Sequence, residues 1–256
     1  MRTNHVVVGR DGAVLTIAMN RPEKKNALTH TMYGAMADAL YAAAGHASIR
    51  VILITGTGDA FTAGNDLGDF LNAPPAGGEA PVQRFLAALS TAEKPVVAAV
   101  NGLAIGIGTT MLLHCDLVYA ARSAVFSAPF VNLALVPEAA SSLLLPHRIG
   151  HAKAAELFLL GGRMDARQAE ASGLVAAVFD DAALGAEALQ RARALAAKAP
   201  SAVRATKALM KRGEEPVAER MHAESAQFAV QLKSPELKEA IQAFSEKRAP
   251  NFDKAA

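Results

Sequence analysis

Residues 100–116 read VNGLAIGIGTTMLLHCD. The apolar run Val96–Val100 leads into a turn at Asn101-Gly102, and Gly106 and Gly108 flank Ile107 just ahead of a helical pattern through Thr109, Met111, Leu112 and Leu113. Glycine at a strand-to-helix junction lets the backbone turn sharply and approach a ligand closely. The unpaired N–H groups of a helix start, at its positive end, suit an anion or a polarised carbonyl oxygen. A tight turn before a buried helix accounts for the same residues, so this stretch alone leaves both readings open. A second stretch has the same grammar. RVILIT, Arg50–Thr55, reads as a strand buried on both faces, and in the loop GTGDAFTAGNDLGDF that follows, Gly64 precedes Asn65-Asp66, a pair able to cap a short helix. Two such turns can set two backbone N–H donors around one oxygen atom.

Outward from these turns, strands alternate with helices. His5–Arg10 and Ala13–Met19 read as strands about an Asp11-Gly12 hairpin turn. In NRPEKKNALT, Pro22 and Asn26 argue against regular structure, and Lys24 and Lys25 read as solvated charges unless context makes them phosphate contacts. Thr29 is a plausible N-cap for an alanine-rich helix to Ala44, with Gly45 as its stop. Asn72–Ala80, rich in Pro, Gly and Ala, reads as a mobile surface loop, and Pro81–Thr91 as a helix. Asp116–Ala121 and Ala124–Ala128 are short strand candidates. In PFVNLALVPEAASSLLLPHRIG, Glu138 is the lone acid, placed at the start of a helical run. An acid in a first turn can simply complement the helix dipole; a buried one has its pKa raised toward the range useful for proton transfer. His151–Leu160 reads helical, Asp165–Gln168 resembles a capping box, and Val175–Phe179 a last strand. From Asp181 the pattern is almost wholly helical, with Ser234-Pro235 as N-cap and first helical residue. This shift marks a subdomain boundary near 195–200 on an α/β architecture.

The 256 residues, 52% hydrophobic and 20% charged, describe a globular chain with a sizeable core. Lys+Arg 26 against Asp+Glu 24 gives a net charge of +2, which offers no electrostatic reason to expect nucleic acid or a membrane as partner. A single cysteine, Cys115, forms no internal disulfide and suits a reducing compartment. MRTNHVVVGRDG lacks a signal-peptide pattern and DKAA is no peroxisomal address, so a cytoplasmic protein is expected. His147 and His151 stand four apart without an HExxH motif, and no metal is expected. His114-Cys115-Asp116 reads as a buried helix end, since neighbours on a helix do not face one another. No G-x-S-x-G elbow, Walker loop or G-x-G-x-x-G fingerprint occurs.

Four segments in order, NRPEKKNAL, AFTAGNDL, VNGLAIGIG…CDLVYA and AFSEKRAPNF, resemble the crotonase (enoyl-CoA hydratase/isomerase) superfamily from about Val6 to Phe252. The resemblance implies an α/β, crotonase-like spiral of ββα units over 1–197, for acyl-CoA binding and catalysis, and a C-terminal helical trimerisation region over 198–256. It implies an acyl-CoA thioester substrate, a homotrimer or dimer of trimers, and no cofactor, coenzyme A being part of the substrate. Carried over by position, the oxyanion-hole donors are the backbone N–H groups of Asn65 and Ile107. Lys24, Lys25 and Ala27 fall where the family contacts CoA; Ala63, Gly64, Asp66, Leu67 and Gly106 belong to the loops beside it. Phe244 and Lys247 match C-terminal residues that approach CoA, sometimes on a neighbouring subunit, or else they belong to helix packing and a solvated face. Thr110, Phe130 and Leu133 are acyl-pocket candidates.

The departures from the family pattern select a subfamily. Hydratases of the family carry two glutamates; at their positions this chain has Thr110 and Phe130. Neither is a useful base near neutrality. A carboxylate reappears at Glu138, after Pro137 in LVPEAASSLLLP, a segment similar to the PEAxSS segment of peroxisomal-type Δ3,Δ2-enoyl-CoA isomerases. These isomerases use one glutamate to carry a proton from C2 to C4. The resemblance therefore implies an isomerase with Glu138 as its base. Hydration or another crotonase-type reaction, and a non-catalytic acyl-CoA-binding protein, are the alternatives.

Overall fold

The structure is a computed structural model and describes residues 4–72 and 80–252. The loop read over 72–80 lies outside them apart from its ends. A hairpin, β1 (Val6–Asp11) and β2 (Val14–Met19), opens the chain, followed by a 3-10 turn at Pro22–Lys24 and helix α1 (His30–Gly45). Asp11 pairs with Val14, so the hairpin turn is Gly12-Ala13, one residue beyond the sequence expectation. Gly12, at φ 55°, supplies the left-handed backbone that such a turn demands.

Three strand–strand–helix passages follow. The first is β3 (Val51–Gly56), β4 (Ala60–Thr62), α2 (Leu67–Asn72) and α3 (Pro81–Ser90). The second is β5 (Val96–Val100), β6 (Leu103–Ile105) and α4 (Ile107–Thr110), which runs on into a 3-10 turn, Met111–His114. The third is β7 (Leu117–Ala121), β8 (Val125–Ser127), a 3-10 turn at Phe130–Leu133, and helices α5 (Ser141–Ile149) and α6 (His151–Leu159). Strand β9 (Arg163–Asp165), α7 (Ala166–Ala171) and β10 (Ala177–Phe179) complete the sheets, and α8 (Leu184–Ala196), α9 (Pro200–Met210), α10 (Val217–Gln231) and α11 (Pro235–Ser245) follow. The first strand of each passage enters a six-stranded sheet ordered β1-β2-β3-β5-β7-β10; the second enters a four-stranded sheet ordered β4-β6-β8-β9. Pairing is parallel except at β1/β2 and β8/β9. The α/β spiral of ββα turns is thus present, and the short strands β4, β6 and β9, too brief to show a period of two, are what the strand reading of the sequence had missed.

Alternation along the large sheet divides the core. Ile52, Ile54, Val96, Ala98, Val100, Val118 and Ala120 face the main core, with α1, α3 and the small sheet. Val51, Leu53, Val97, Ala99 and Tyr119 face the other way, where α8 covers them with Leu184, Ala188, Ala192 and Ala196. Those four recur every fourth residue, one helical stripe whose three alanines let α8 lie close against the sheet. The last helices are tied in by buried polar groups. Lys207 of α9 reaches Asp116 Oδ2 at 2.7 Å and the Lys94 carbonyl at 2.8 Å. Glu236 at the start of α11 accepts hydrogen bonds from the Ser201 N–H, at 3.0 Å, and hydroxyl. No described helix is long and apolar enough to cross a membrane.

Because Ala188 is fully buried between α8 and the sheet, Ala188→Leu overpacks that seam. A loss of about 1–3 kcal/mol is expected, read as a lower urea midpoint at unchanged m-value.

Candidate active site

The site begins with the polar segment 20–28. Asn26 is fully buried at φ 56°; its amide donates to the carbonyls of Thr57, at 2.8 Å, and Ala60, at 2.7 Å, while its Oδ1 accepts from the Arg21 N–H at 2.8 Å. Asparagine tolerates the left-handed region and here satisfies three backbone groups at once. Thr62 donates to the Asn26 carbonyl at 2.7 Å, and the Ala63 N–H to that of Lys25 at 2.9 Å. The segment is thereby fastened along β4 and the turn that follows it. Arg21 closes the arrangement with a 2.6 Å bond to Asp66, whose carboxyl it holds below the usual range.

That turn carries the first donor. Leu28 and Asn65 form a parallel bridge made by the Leu28 N–H to the Gly64 carbonyl and the Asp66 N–H to the Leu28 carbonyl. The Asn65 N–H takes no part in this pairing and has no partner among the described residues. The second donor is the Ile107 N–H, the first of α4, where no preceding turn supplies an acceptor. The two turns touch. A Cβ on Gly64, at φ 95°, would stand 3.0 Å from the Ile105 carbonyl oxygen, and one on Gly108 would stand 2.7 Å from Thr62 Cγ2. Only glycine permits this approach. Parallel pairing of β4 with β6, Thr62 opposite Ala104, brings the two turns side by side.

Two adjoining cavities open at this junction. The outer one, about 470 Å³, is lined by Lys24, Ala27, Ala63, Gly64, Asn65, Asp66, Leu67, Gly106, Ile107, Phe130 and Leu133, among others. The inner one, about 290 Å³, shares Asn65, Asp66, Phe70, Phe130 and Leu135 with it and reaches Glu138. Its remaining walls are Leu28, His30 and Tyr33 of the α1 region, Asp69 of α2, Val82, Gln83 and Leu86 of α3, and Val136. Phe130, packed on Phe158 with ring centroids 6.4 Å apart, stands between the two. The Tyr33 hydroxyl, kept protonated by burial, donates to Asn65 Oδ1 and steadies the turn that holds the first donor.

Glu138 departs from expectation in its placement. Helix α5 starts at Ser141, so Glu138 lies before the helix and not in its first turn. Ala139 and Ala140, at φ 57° and 55°, make a left-handed corner between them. Such conformations cost alanine about 1–2 kcal/mol each. The corner is held by His114 Nε2, 2.9 Å from the Ala139 carbonyl, and by the Ser141 N–H on the Glu138 carbonyl at 3.0 Å. Thr110 also departs: fully buried, it lines neither cavity, and its hydroxyl donates to Glu138 Oε1 at 2.5 Å. Burial pushes the Glu138 carboxyl above the ordinary glutamate range, and the Thr110 bond pulls it partway back.

Of the remaining expected residues, Pro137 only precedes Glu138, and Lys25 pairs with Asp59 away from both cavities. Phe244, 88% exposed on α11, and Lys247 just after it reach neither cavity in this chain. The His114–Asp116 triplet splits as its spacing requires. His114 serves the Ala139 corner, Asp116 pairs with Lys207, and burial pushes the Cys115 thiol up to about 12. The inner-cavity residues on α1, α2 and α3 went unread, because helix-face residues carry no motif and only the fold gathers them. Among the described residues no cluster of three or more His, Cys, Asp or Glu could hold a metal ion.

Known proteins resemble this chain along most of its length. The chain is 36% identical over 240 residues to enoyl-CoA delta isomerase 2 of Rattus norvegicus, which covers 91% of the chain but only 60% of that relative. It is 34% identical to the 2,3-dehydroadipyl-CoA hydratase of Escherichia coli K12 over 97% of the chain and 98% of the relative. The solved enoyl-CoA hydratase/isomerase of Pseudoalteromonas atlantica T6c superposes with a TM-score of 0.79 at 47% identity, covering 97% of this chain and all of that one. Residues 9–255 match the family described as enoyl-CoA hydratase/isomerase. With isomerases and hydratases both among its relatives, and with the fold, the paired glycine turns and the acid-ended cavity in place, the chain belongs to the enoyl-CoA hydratase/isomerase family, the crotonase superfamily.

Proposed function

We propose that this protein is an enoyl-CoA isomerase that moves a double bond from position 3 to position 2 of an acyl-CoA thioester, with Glu138 as its only proton carrier. The observation that carries this reading is the half-buried Glu138 carboxyl, raised in pKa, at the end of an otherwise mostly apolar cavity that meets the outer cavity at Asn65. With the thioester oxygen between the Asn65 and Ile107 N–H groups, the Glu138 carboxylate takes a proton from C2. The electron pair delocalises through the dienolate onto that oxygen, and each backbone donor is worth about 3 kcal/mol to the transition state. The Glu138 acid then returns the proton at C4, leaving the 2,3 double bond. CoA lies in the outer cavity against Lys24, Ala27, Gly64 and Leu67, and the acyl chain passes Phe130 into the inner one. Hydration fits less well, since Thr110 spends its hydroxyl on Glu138 and Phe130 offers no second acid. The exposed apolar side chains of α10, its C-cap and α11, Met221, Phe228, Leu232, Ile241 and Phe244, suit assembly into a homotrimer, and the lone buried Cys115 suits the cytoplasm.

Incubation with 3-hexenoyl-CoA should give the absorbance of the conjugated 2-enoyl thioester, while crotonyl-CoA should lose its absorbance slowly or not at all. Glu138→Gln should cut kcat about 10²- to 10⁴-fold and retain CoA binding. Fast crotonyl-CoA hydration, or full turnover by the Gln variant, would overturn the reading.

The active form of Glu138 is the carboxylate, so kcat/KM should rise with pH through a pKa above the ordinary glutamate value. Thr110→Val removes the bond that favours the charged form and should move that rising limb to higher pH. His114, whose pKa is lowered chiefly by burial, remains neutral and able to donate from Nε2 near pH 7. His114→Ala frees the strained corner and should lower kcat about 10- to 100-fold with little change in KM. His114→Gln, which retains a donor, should restore part of the loss.

A further inference from the structure

The two cavities stay separate although five residues line both, so a constriction lies among Asn65, Asp66, Phe70, Phe130 and Leu135. Asn65 and Asp66 are tied in place by Tyr33 and Arg21. Of the three apolar residues only Phe130 is buried, and its neighbours hold it firmly. Its N–H donates to the Ala128 carbonyl at 2.9 Å, and its own carbonyl accepts the Leu135 N–H at 2.9 Å. The ring packs on the buried Phe158 of α6, with centroids 6.4 Å apart. It also reaches the donor turn. A Cβ placed on Gly106 would stand 4.0 Å from Phe130 Cε1, one residue before the Ile107 N–H.

A ring fixed beside the donor turn sets the width open to whatever runs from the thioester toward Glu138. We infer that Phe130 is a specificity-determining residue that restricts this protein to acyl groups unbranched at C2 to C4. The inference deepens the isomerase reading and rests on its placement of the thioester oxygen at the two N–H donors. Glu138 serves both C2 and C4 in that reading, so these carbons lie between the donors and the carboxyl group, where the cavities meet. A straight chain passes there in ordinary van der Waals contact. A methyl at C3 needs room that the ring occupies, and a ring packed on Phe158 in a dense interior has no low-energy retreat. A branch nearer the chain end falls instead in the inner cavity of about 290 Å³, among the apolar Val82, Leu86 and Val136.

Saturated, unreactive esters of equal carbon number separate width from hydrophobicity and from the chemistry. Calorimetry would compare heptanoyl-CoA, 5-methylhexanoyl-CoA and each enantiomer of 3-methylhexanoyl-CoA. The first two should bind alike, and both 3-methyl esters should bind about 10-fold more weakly, the effect of forcing one methyl into a filled site. Phe130→Ala and Phe130→Leu should each bring the 3-methyl esters close to heptanoyl-CoA, and the Leu variant retains an apolar contact for Phe158 should the Ala variant fail to fold. Each ratio is taken within one variant, so a Phe130 that only supports the fold would leave it unmoved. Equal affinities for the 3-methyl and 5-methyl esters in the unmodified protein, or a 3-methyl penalty that survives substitution of Phe130, would overturn the inference. Absence of 3-hexenoyl-CoA conjugation with the penalty intact would instead count against the isomerase reading alone.

Discussion

Everything at this site depends on how closely two turns from different strands approach. The donors at Asn65 and Ile107 belong to loops more than 40 residues apart in sequence, and they share a ligand only if the backbones touch. Parallel pairing of β4 with β6 sets the register, and a one-residue slip would turn Thr62 and every neighbour to the wrong face. With so short a ladder, side chains must do the rest. Asn26 holds β4 through the Ala60 carbonyl and the turn before it through that of Thr57, Thr62 ties β4 to the 20–28 segment, and the glycines remove the Cβ atoms that would separate the turns. The small sheet thus gives Phe61, Ala104 and Phe126 to the core and at the same time sets the two turns side by side.

The sequence made that much visible because backbone chemistry leaves punctuation. A glycine between an apolar run and a cap residue is legible, and so are a capping box at Asp165–Gln168 and an N-cap at Ser234, both of which form as read. The continuous apolar runs of β3 and β5 were equally plain, and burial on both faces is what they have, one face serving each of two cores. Of the three-residue strands, β8 and β10 were legible inside longer apolar runs, while β4, β6 and β9 were not, since three residues do not establish a period. The inner cavity was hidden for a different reason. Its walls come from α1, α2, α3 and the segment before α5, each contributing one or two side chains whose helix faces also satisfy ordinary packing patterns.

The segment around Glu138 shows local preference giving way to tertiary contact. PEAASS reads as a helix start, and an acid in the first turn would complement the helix dipole. Two successive left-handed alanines instead end the approach, at a cost no isolated peptide would bear. The compensation is visible in His114 on the Ala139 carbonyl and in the Ser141 N–H on Glu138. Relocating the carboxylate from the helix to a loop before it turns the acid toward the cavity. It also removes the dipole that would have lowered its pKa.

The cavity holds three carboxyl groups, and their neighbours give each a different character. Asp66 has a guanidinium at 2.6 Å and is held ionised as the brace between the 20–28 segment and the donor turn. Asp69 has an imidazole and a backbone N–H, which make it an anchor for a ring. Among the described residues Glu138 has only a threonine hydroxyl, and burial outweighs that single bond. A cation beside Glu138 would stabilise the carboxylate and weaken it as a base; a second carboxylate sharing its proton would add a site for water. With neither in place, the geometry suits one group that gives up and regains a single proton. The threonine where a hydratase has an acid therefore does more than mark an absence. Its hydroxyl orients the remaining carboxylate and limits how far its pKa rises.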